Sequence, residues 1–249
     1  MHGDYGSQGD KMKYYISGCV FTARFPQLSK KIRNYISSLG DIEIIRCCFP
    51  KWKIKLYEDK MPEGELRESW KALPHTAEFS TGDETWSLCP NCSNLVEECH
   101  TGVTVHSLWE LIDNDKNFKF PDYSGMKVTL QDCWRSRDRN ETHDAVRSIL
   151  KKMNIEFLET EKNRANTDFC GTSLYRPQVE RNAKFAPKHY IENAAGKFLP
   201  HTEEEQKKIM EEYCRQYRTQ TVICYCHYCL EGLLAAGKDG RHIAHLLFN

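Results

Sequence analysis

Two short stretches, CPNCSNLVEECHTG at 89–102 and CYCHYCLEGLLAAGKDG at 224–240, each carry a C-x-x-C pair, Cys89/Cys92 and Cys226/Cys229. Thiols at this spacing bind soft metals or form a redox dithiol. Each pair closes a longer series. Cys19 and then the consecutive Cys47 and Cys48 precede the first, while Cys133 and then Cys170 precede the second; Cys224 lies two positions before Cys226. Twelve cysteines in 249 residues, behind an opening segment with no apolar run, point to a reducing, cytoplasmic setting where structural disulfides are rare. A thioredoxin-like dithiol needs no third, fourth or fifth cysteine. Four or five converging thiolates make a soft site for iron-sulfur chemistry or zinc. Adjacent residues such as Cys47 and Cys48 sit poorly on one tetrahedral ion, whereas a cluster offers several irons, so the first series favours iron-sulfur.

The repeated order of cysteines implies a duplicated framework, and the segments between them agree. Ile32, Tyr35, Ile36 and Leu39 recur at helical spacing between Cys19 and Cys47, with a cap expected at Ser29 and a stop at Gly40; IEII follows. Val146, Ile149, Leu150 and Met153 repeat that spacing between Cys133 and Cys170, followed by IEFLE. The runs KYYIS and MKVTLQ precede the lone cysteines, and ETWSL and QTVI precede the C-x-x-C pairs, all reading as strands. Alternating strands and helices predict an α/β fold of two pseudo-duplicated, Rossmann-like domains, each a small parallel sheet with crossover helices. Every cysteine of both sets would then follow a strand and converge on the carboxyl edge, where such sheets bind ligands. Val105 and Leu108 are expected to correspond to Ile243 and Leu246. The expected division is a flexible, polar tail at 1–12, a first domain at 13–124 and a second at 125–249, joined through the polar DNDKNFKFPDYSG.

Composition narrows the partners. Thirty-five basic residues balance thirty-five acidic ones, so no global field favours nucleic acid, and no apolar run approaches the length of a membrane helix. No Gly-rich dinucleotide fingerprint follows a strand and no ferredoxin-type run of close cysteines is present, so electrons would have to come from a partner.

The cysteine framework resembles that of tandem CCG-domain (cysteine-rich) proteins such as the CCG-domain subunit of heterodisulfide reductase. ISGCVFTAR, IIRCCFP and SLCPNCSNL are similar to one copy of that pattern; VTLQDCWRSR, DFCGTSL, CHYCLEGL and the closing RHIAHLLF are similar to the other. The resemblance implies a non-cubane 4Fe-4S cluster held by Cys19, Cys47, Cys48, Cys89 and Cys92, with Cys47 and Cys48 among the ligands of the reactive cluster. It implies reduction of a small disulfide or related sulfur substrate, electrons from a ferredoxin-like or flavin-containing subunit, and an anaerobic setting. The second copy keeps Cys133, Cys170, Cys226 and Cys229, but Phe169 replaces the first member of the cysteine pair. Four thiolates suit a cubane 4Fe-4S relay or zinc, and Cys224 is a candidate fifth ligand. Phe49 stands where the pattern has glycine, and the insertion KWKIKLYEDKMPEGELRESWKALPHTAEFSTGDET is expected to reshape the substrate pocket. Two other readings stand beside the oxidoreductase: a non-catalytic electron-transfer adaptor and a zinc-stabilised interaction module.

Arg135, Arg137 and Arg139 read as a solvated face or as a grip on an anion or a reduced cluster. His227 reads as a loop residue or a hydrogen-bond donor to sulfur, and Cys99 and Cys214 as packing residues. The run HTEEEQKKIMEEYCRQYRTQ predicts a capped amphipathic helix with Ile209, Met210 and Tyr213 inward.

Overall fold

The computed structural model describes residues 11–50 and 53–249. Most of the expected tail and Lys51 and Trp52 of the insertion lie outside the described residues. The first half runs β1 (Lys13–Ile16), α1 (Cys19–Arg24), α2 (Pro26–Ser38), β2 (Glu43–Ile45), α3 (Ile54–Glu58), α4 (Glu65–Lys71), β3 (Glu84–Ser87), α5 (Pro90–Cys99), β4 (Thr104–Ser107) and α6 (Leu108–Asn114). The second runs β5 (Lys127–Gln131), α7 (Asn140–Lys152), β6 (Glu156–Glu159), α8 (Glu180–Phe185), α9 (Glu203–Cys214), β7 (Thr221–Cys224), α10 (His227–Ala235), β8 (Asp239–His242) and α11 (Ile243–Leu247).

The strands form two four-stranded parallel sheets, ordered β2-β1-β3-β4 and β6-β5-β7-β8. The α/β fold and its duplication are therefore as the sequence predicts. Central strands are buried on both faces, with the adjacent Tyr15 and Ile16 of β1 and Val128 and Thr129 of β5 all buried, as helix-covered parallel sheets require. In each sheet the chain reverses its direction of winding between the two central strands. That opens a crevice at their carboxyl ends, and most of the cysteines lie there.

Three local expectations need correction. Pro26 opens α2, its fixed φ suiting the first helical turn, so Ser29 lies inside the helix and its hydroxyl pairs with Thr22. The tail register shifts by three: Ser107 and His242 end β4 and β8 and cap the helices that follow, so Val105 corresponds to Gly240. The second copy reaches its last strand in two fewer residues after its C-x-x-C. Cys170 does not follow a strand directly; a loop with a 3₁₀ turn at Arg164–Asn166 separates it from β6. The polar link packs against both halves: Phe118 meets Tyr35 and Phe248, and the Tyr123 hydroxyl donates to the Leu246 carbonyl. Helix α9 is capped, as expected, and the cap is a capping box with Thr202 and Glu205 reciprocally bonded; Met210 is buried and Ile209 and Tyr213 are half-buried.

The halves meet through residues of α5 that lie within or beside the first C-x-x-C. Asn91 Oδ1 accepts from Asn182 Nδ2 at 2.9 Å and from the Tyr190 hydroxyl at 2.6 Å. Asn94 Nδ2 donates to the Arg135 carbonyl at 3.0 Å. Across the same seam His242 packs against Phe21 and Trp109.

Candidate metal centre

In both copies the C-x-x-C straddles a strand-to-helix junction. Cys89 caps α5 and Cys92 occupies its first turn; Cys226 and Cys229 stand in the same places on α10. Unpaired N–H groups and the helix dipole favour negative charge there, so each junction is preorganised for thiolates.

In the second copy the sulfurs draw into a knot. Cys133, Cys170, Cys226 and Cys229 are all buried, and their Sγ atoms lie within 4.8 Å of one another. Cys133 Sγ is 3.5 Å and Cys226 Sγ 4.0 Å from Cys170 Sγ. None of the twelve cysteines is in a disulfide. Gly171 makes the knot possible. Its φ is 55°, and a Cβ there would meet the Tyr228 carbonyl oxygen at 1.8 Å, so the Cys170 loop lies backbone to backbone on α10. Asp132 anchors the Cys133 loop: Arg147 grips both its oxygens at 3.2 and 2.7 Å, and the Tyr225 hydroxyl and the Arg164 amide donate to it. Burial opposes ionisation of Asp132, yet the Arg147 bonds hold it below the usual carboxylate range. Cys170 behaves likewise: burial works against the thiolate, but bonds from Cys133, Cys226 and Cys229 and the charge of Arg135 bring it well below the usual thiol range.

Cys224 stands apart. It is the last residue of β7, and its Sγ approaches the Cys226 carbonyl at 3.6 Å rather than the four sulfurs. Phe169 turns away and stacks on Tyr213.

The first copy arranges its five cysteines differently. Thiol contacts run from Cys19 to Cys47, Cys47 to Cys48, Cys48 to Cys92 and Cys92 to Cys89, an open arc. Among the described residues the second-copy knot is the one group of thiol, imidazole and carboxylate ligand atoms that closes so tightly. Gly18, at φ 76°, turns β1 into α1 and lies against Cys89. Phe49, where the second copy has Gly171, packs on Phe185 at 4.4 Å. Bonds from Cys19 and Cys48 hold the Cys47 thiol low; a bond from Cys92, helped by the Cys92 and Asn91 amides, holds Cys89 low.

Cys19, Cys48, Cys89 and Cys92 line a cavity of about 150 Å³ between the halves, which none of the knot cysteines reaches. Its opposite wall holds Arg135, Arg176 and Arg181 with Phe198 and Tyr228, and Tyr57 of the insertion contributes an edge. Arg176 pairs with Glu231 and Arg181 bonds Asn182 Oδ1 at 3.0 Å. No spacing in the sequence marks Asn91, Asn182 or Arg181, which make contacts across the seam, or Arg176, which lines the cavity from the second half. Arg135 is buried, correcting the solvated-face reading, while Arg137 and Arg139 remain partly exposed. His227 opens α10 instead of occupying a loop; it is buried with neither ring nitrogen hydrogen-bonded, and burial pushes its pKa down to about 3. Cys99 bonds the Phe185 carbonyl and Cys214 is buried at the end of α9, both away from the two sets.

The donor sets fit metal. Four thiolates on one tetrahedral ion at about 2.3 Å stand roughly 3.8 Å apart, a value that lies between the 3.5 and 4.0 Å separations from Cys170 and within the 4.8 Å span of the knot. The arc, with two consecutive ligands, does not close on one ion. No helix among the described residues is long and apolar enough to cross a membrane. No family model matches the chain, and no curated protein matches it.

Proposed function

We propose that the protein is an iron-sulfur oxidoreductase component, similar to the CCG-domain subunit of heterodisulfide reductase, with its reaction centre in the first copy. One observation carries this reading: four of the five arc cysteines face the cavity, whereas the knot is sealed from it. A cluster bound by Cys19, Cys47, Cys48, Cys89 and Cys92 would supply thiophilic, redox-active iron where a small molecule can enter. The chain itself binds and orients. Arg135, Arg176 and Arg181 offer guanidinium groups to an anionic disulfide or thiol, and Phe198 and Tyr228 exclude water around the sulfur atoms. Electrons would come from a partner subunit, ferredoxin-like or flavin-containing.

For the second copy, the sulfur spacing of 3.5 and 4.0 Å favours a single tetrahedral ion, zinc or iron, over a cubane. A cubane gives each thiolate its own iron, so the sulfurs would have to move apart. A zinc knot would fix the second domain; an iron knot would also pass electrons.

Anaerobic purification with quantification of iron, acid-labile sulfide and zinc tests the proposal. Iron with sulfide, most of it lost in Cys48→Ala together with disulfide reductase activity, is the expected result. Zinc without sulfide would replace the oxidoreductase with an interaction module, and cluster-bearing protein inert toward every disulfide tested would make it an electron-transfer adaptor.

A further inference from the structure

The cavity between the halves is lined by cations and by no carboxylate. Among the described residues that line it none is an aspartate or glutamate, while Arg135, Arg176 and Arg181 all contribute. Two buried side chains on this wall keep polar atoms without a partner, Arg135 at Nε and His227 at both ring nitrogens. Packed interiors seldom leave polar atoms so, and in a cavity wall they mark where a polar ligand sits.

One more donor on the wall is assigned by elimination. A guanidinium can only donate, so Arg181, whose Nη2 and Nε reach Asn182 Oδ1 at 3.0 and 3.4 Å, fixes which end of that amide is oxygen. Asn182 Nδ2 must then be a donor, and it meets Asn91 Oδ1 at 2.9 Å. The Tyr190 hydroxyl donates to the same oxygen at 2.6 Å. With Oδ1 taken twice, Nδ2 is the group that Asn91, itself a lining residue, has left for the cavity. Asn182 and Tyr190 are buried and hold the amide in this orientation. The relay runs one way, from a cation through two amides, and each bond polarises the next donor. Asn91 also stands in the first turn of α5, where the helix end favours an anion.

We infer that Asn91 is a ligand-binding residue: its amide, positioned by Asn182, Tyr190 and Arg181, donates to a carboxylate of the molecule that occupies the cavity. The two coplanar oxygens of a carboxylate can take a guanidinium fork and this amide together. Asn91 belongs to the first half and its three anchors to the second, so the donor is set only when the halves are docked. The inference rests on the proposed function in one respect, that the ligand carries sulfur toward the arc; the carboxylate contact needs no redox chemistry.

The test uses the full-length protein, purified anaerobically with whatever metal it holds, and calorimetric titration with 3,3′-thiodipropionate and with its neutral diamide, neither of which has a disulfide to reduce. The parent binds the dicarboxylate at least about tenfold more tightly than the diamide, the size of one hydrogen bond to a charged group. Asn91→Asp keeps an oxygen for Asn182 and Tyr190 but replaces the donor with a repelling carboxylate; affinity for the dicarboxylate falls at least about tenfold and that for the diamide stays within about threefold. Tyr190→Phe removes one anchor and leaves the donor, so it weakens the dicarboxylate by about threefold with the diamide unchanged, and it decides the matter if Asn91→Asp does not fold. A parent that binds the two compounds equally or binds neither, an Asn91→Asp variant that keeps the parent's affinity for the dicarboxylate, or either variant losing both compounds alike overturns the inference. Carboxylate binding without turnover of any disulfide would keep this subsite and remove the oxidoreductase.

Discussion

The two cysteine sets stand on the same scaffold and end as different objects. At the C-x-x-C junctions they are equivalent, a strand feeding a helix whose cap and first turn present two sulfurs. They part at the middle cysteines. Gly171 lets the second copy lay Cys170 directly on α10 and close four sulfurs into a sealed knot. Phe49 cannot make that approach, and Cys47 and Cys48 spread into an arc that opens on the cavity. A closed thiolate set suits a resident ion that never meets substrate; an open one suits chemistry.

Substitutions that exchange these features should break the comparison. The largest effect is expected at the arc: Cys48→Ala lowers disulfide reduction by at least about 10³-fold while the metal of the knot stays bound, read by turnover and metal content together. Gly171→Ala should next destabilise the second half by at least about 3 kcal/mol, since left-handed strain adds to a backbone clash, and should release its metal; denaturant melts with metal analysis check both. Asp132→Ala breaks the buried pair with Arg147, leaving that guanidinium only the exposed Glu159, and should lower stability by about 3 kcal/mol, measured in the same melts. Phe169→Cys sharpens the contrast: the side chain faces Tyr213, so the restored cysteine pair should add no ligand and remove about 2 kcal/mol of packing. A gain of bound iron in that variant would show that the missing cysteine alone separates the copies.

Much of this was legible in the residues. The helix spacing of Ile32, Tyr35, Ile36 and Leu39 and its echo at Val146, Ile149, Leu150 and Met153 is buried periodicity, which local sequence records directly. Three of the four knot cysteines, Cys133, Cys226 and Cys229, were legible because strand ends of one parallel sheet converge; Cys170 was legible from the repeated order of cysteines and reaches the knot through a loop. Three features were not. The tail register slipped because apolar residues match at several offsets, while hydrogen-bond pairing admits only one. The burial of Arg135 depends on rings from Tyr190, Phe198 and Tyr228, distant in sequence. The difference between arc and knot depends on how closely a backbone can approach α10, a property of Gly171 that reads as an ordinary turn glycine until its neighbour is seen.

Anaerobic metal and sulfide analysis of the wild-type protein alongside Cys48→Ala and Cys170→Ala bears most directly on the claim that two unlike centres share one scaffold. The account predicts that the first variant loses iron and sulfide together and keeps one thiolate-bound ion, while the second loses that ion and keeps the iron and sulfide. Parallel losses in both variants, or a wild-type protein without sulfide, would contradict it.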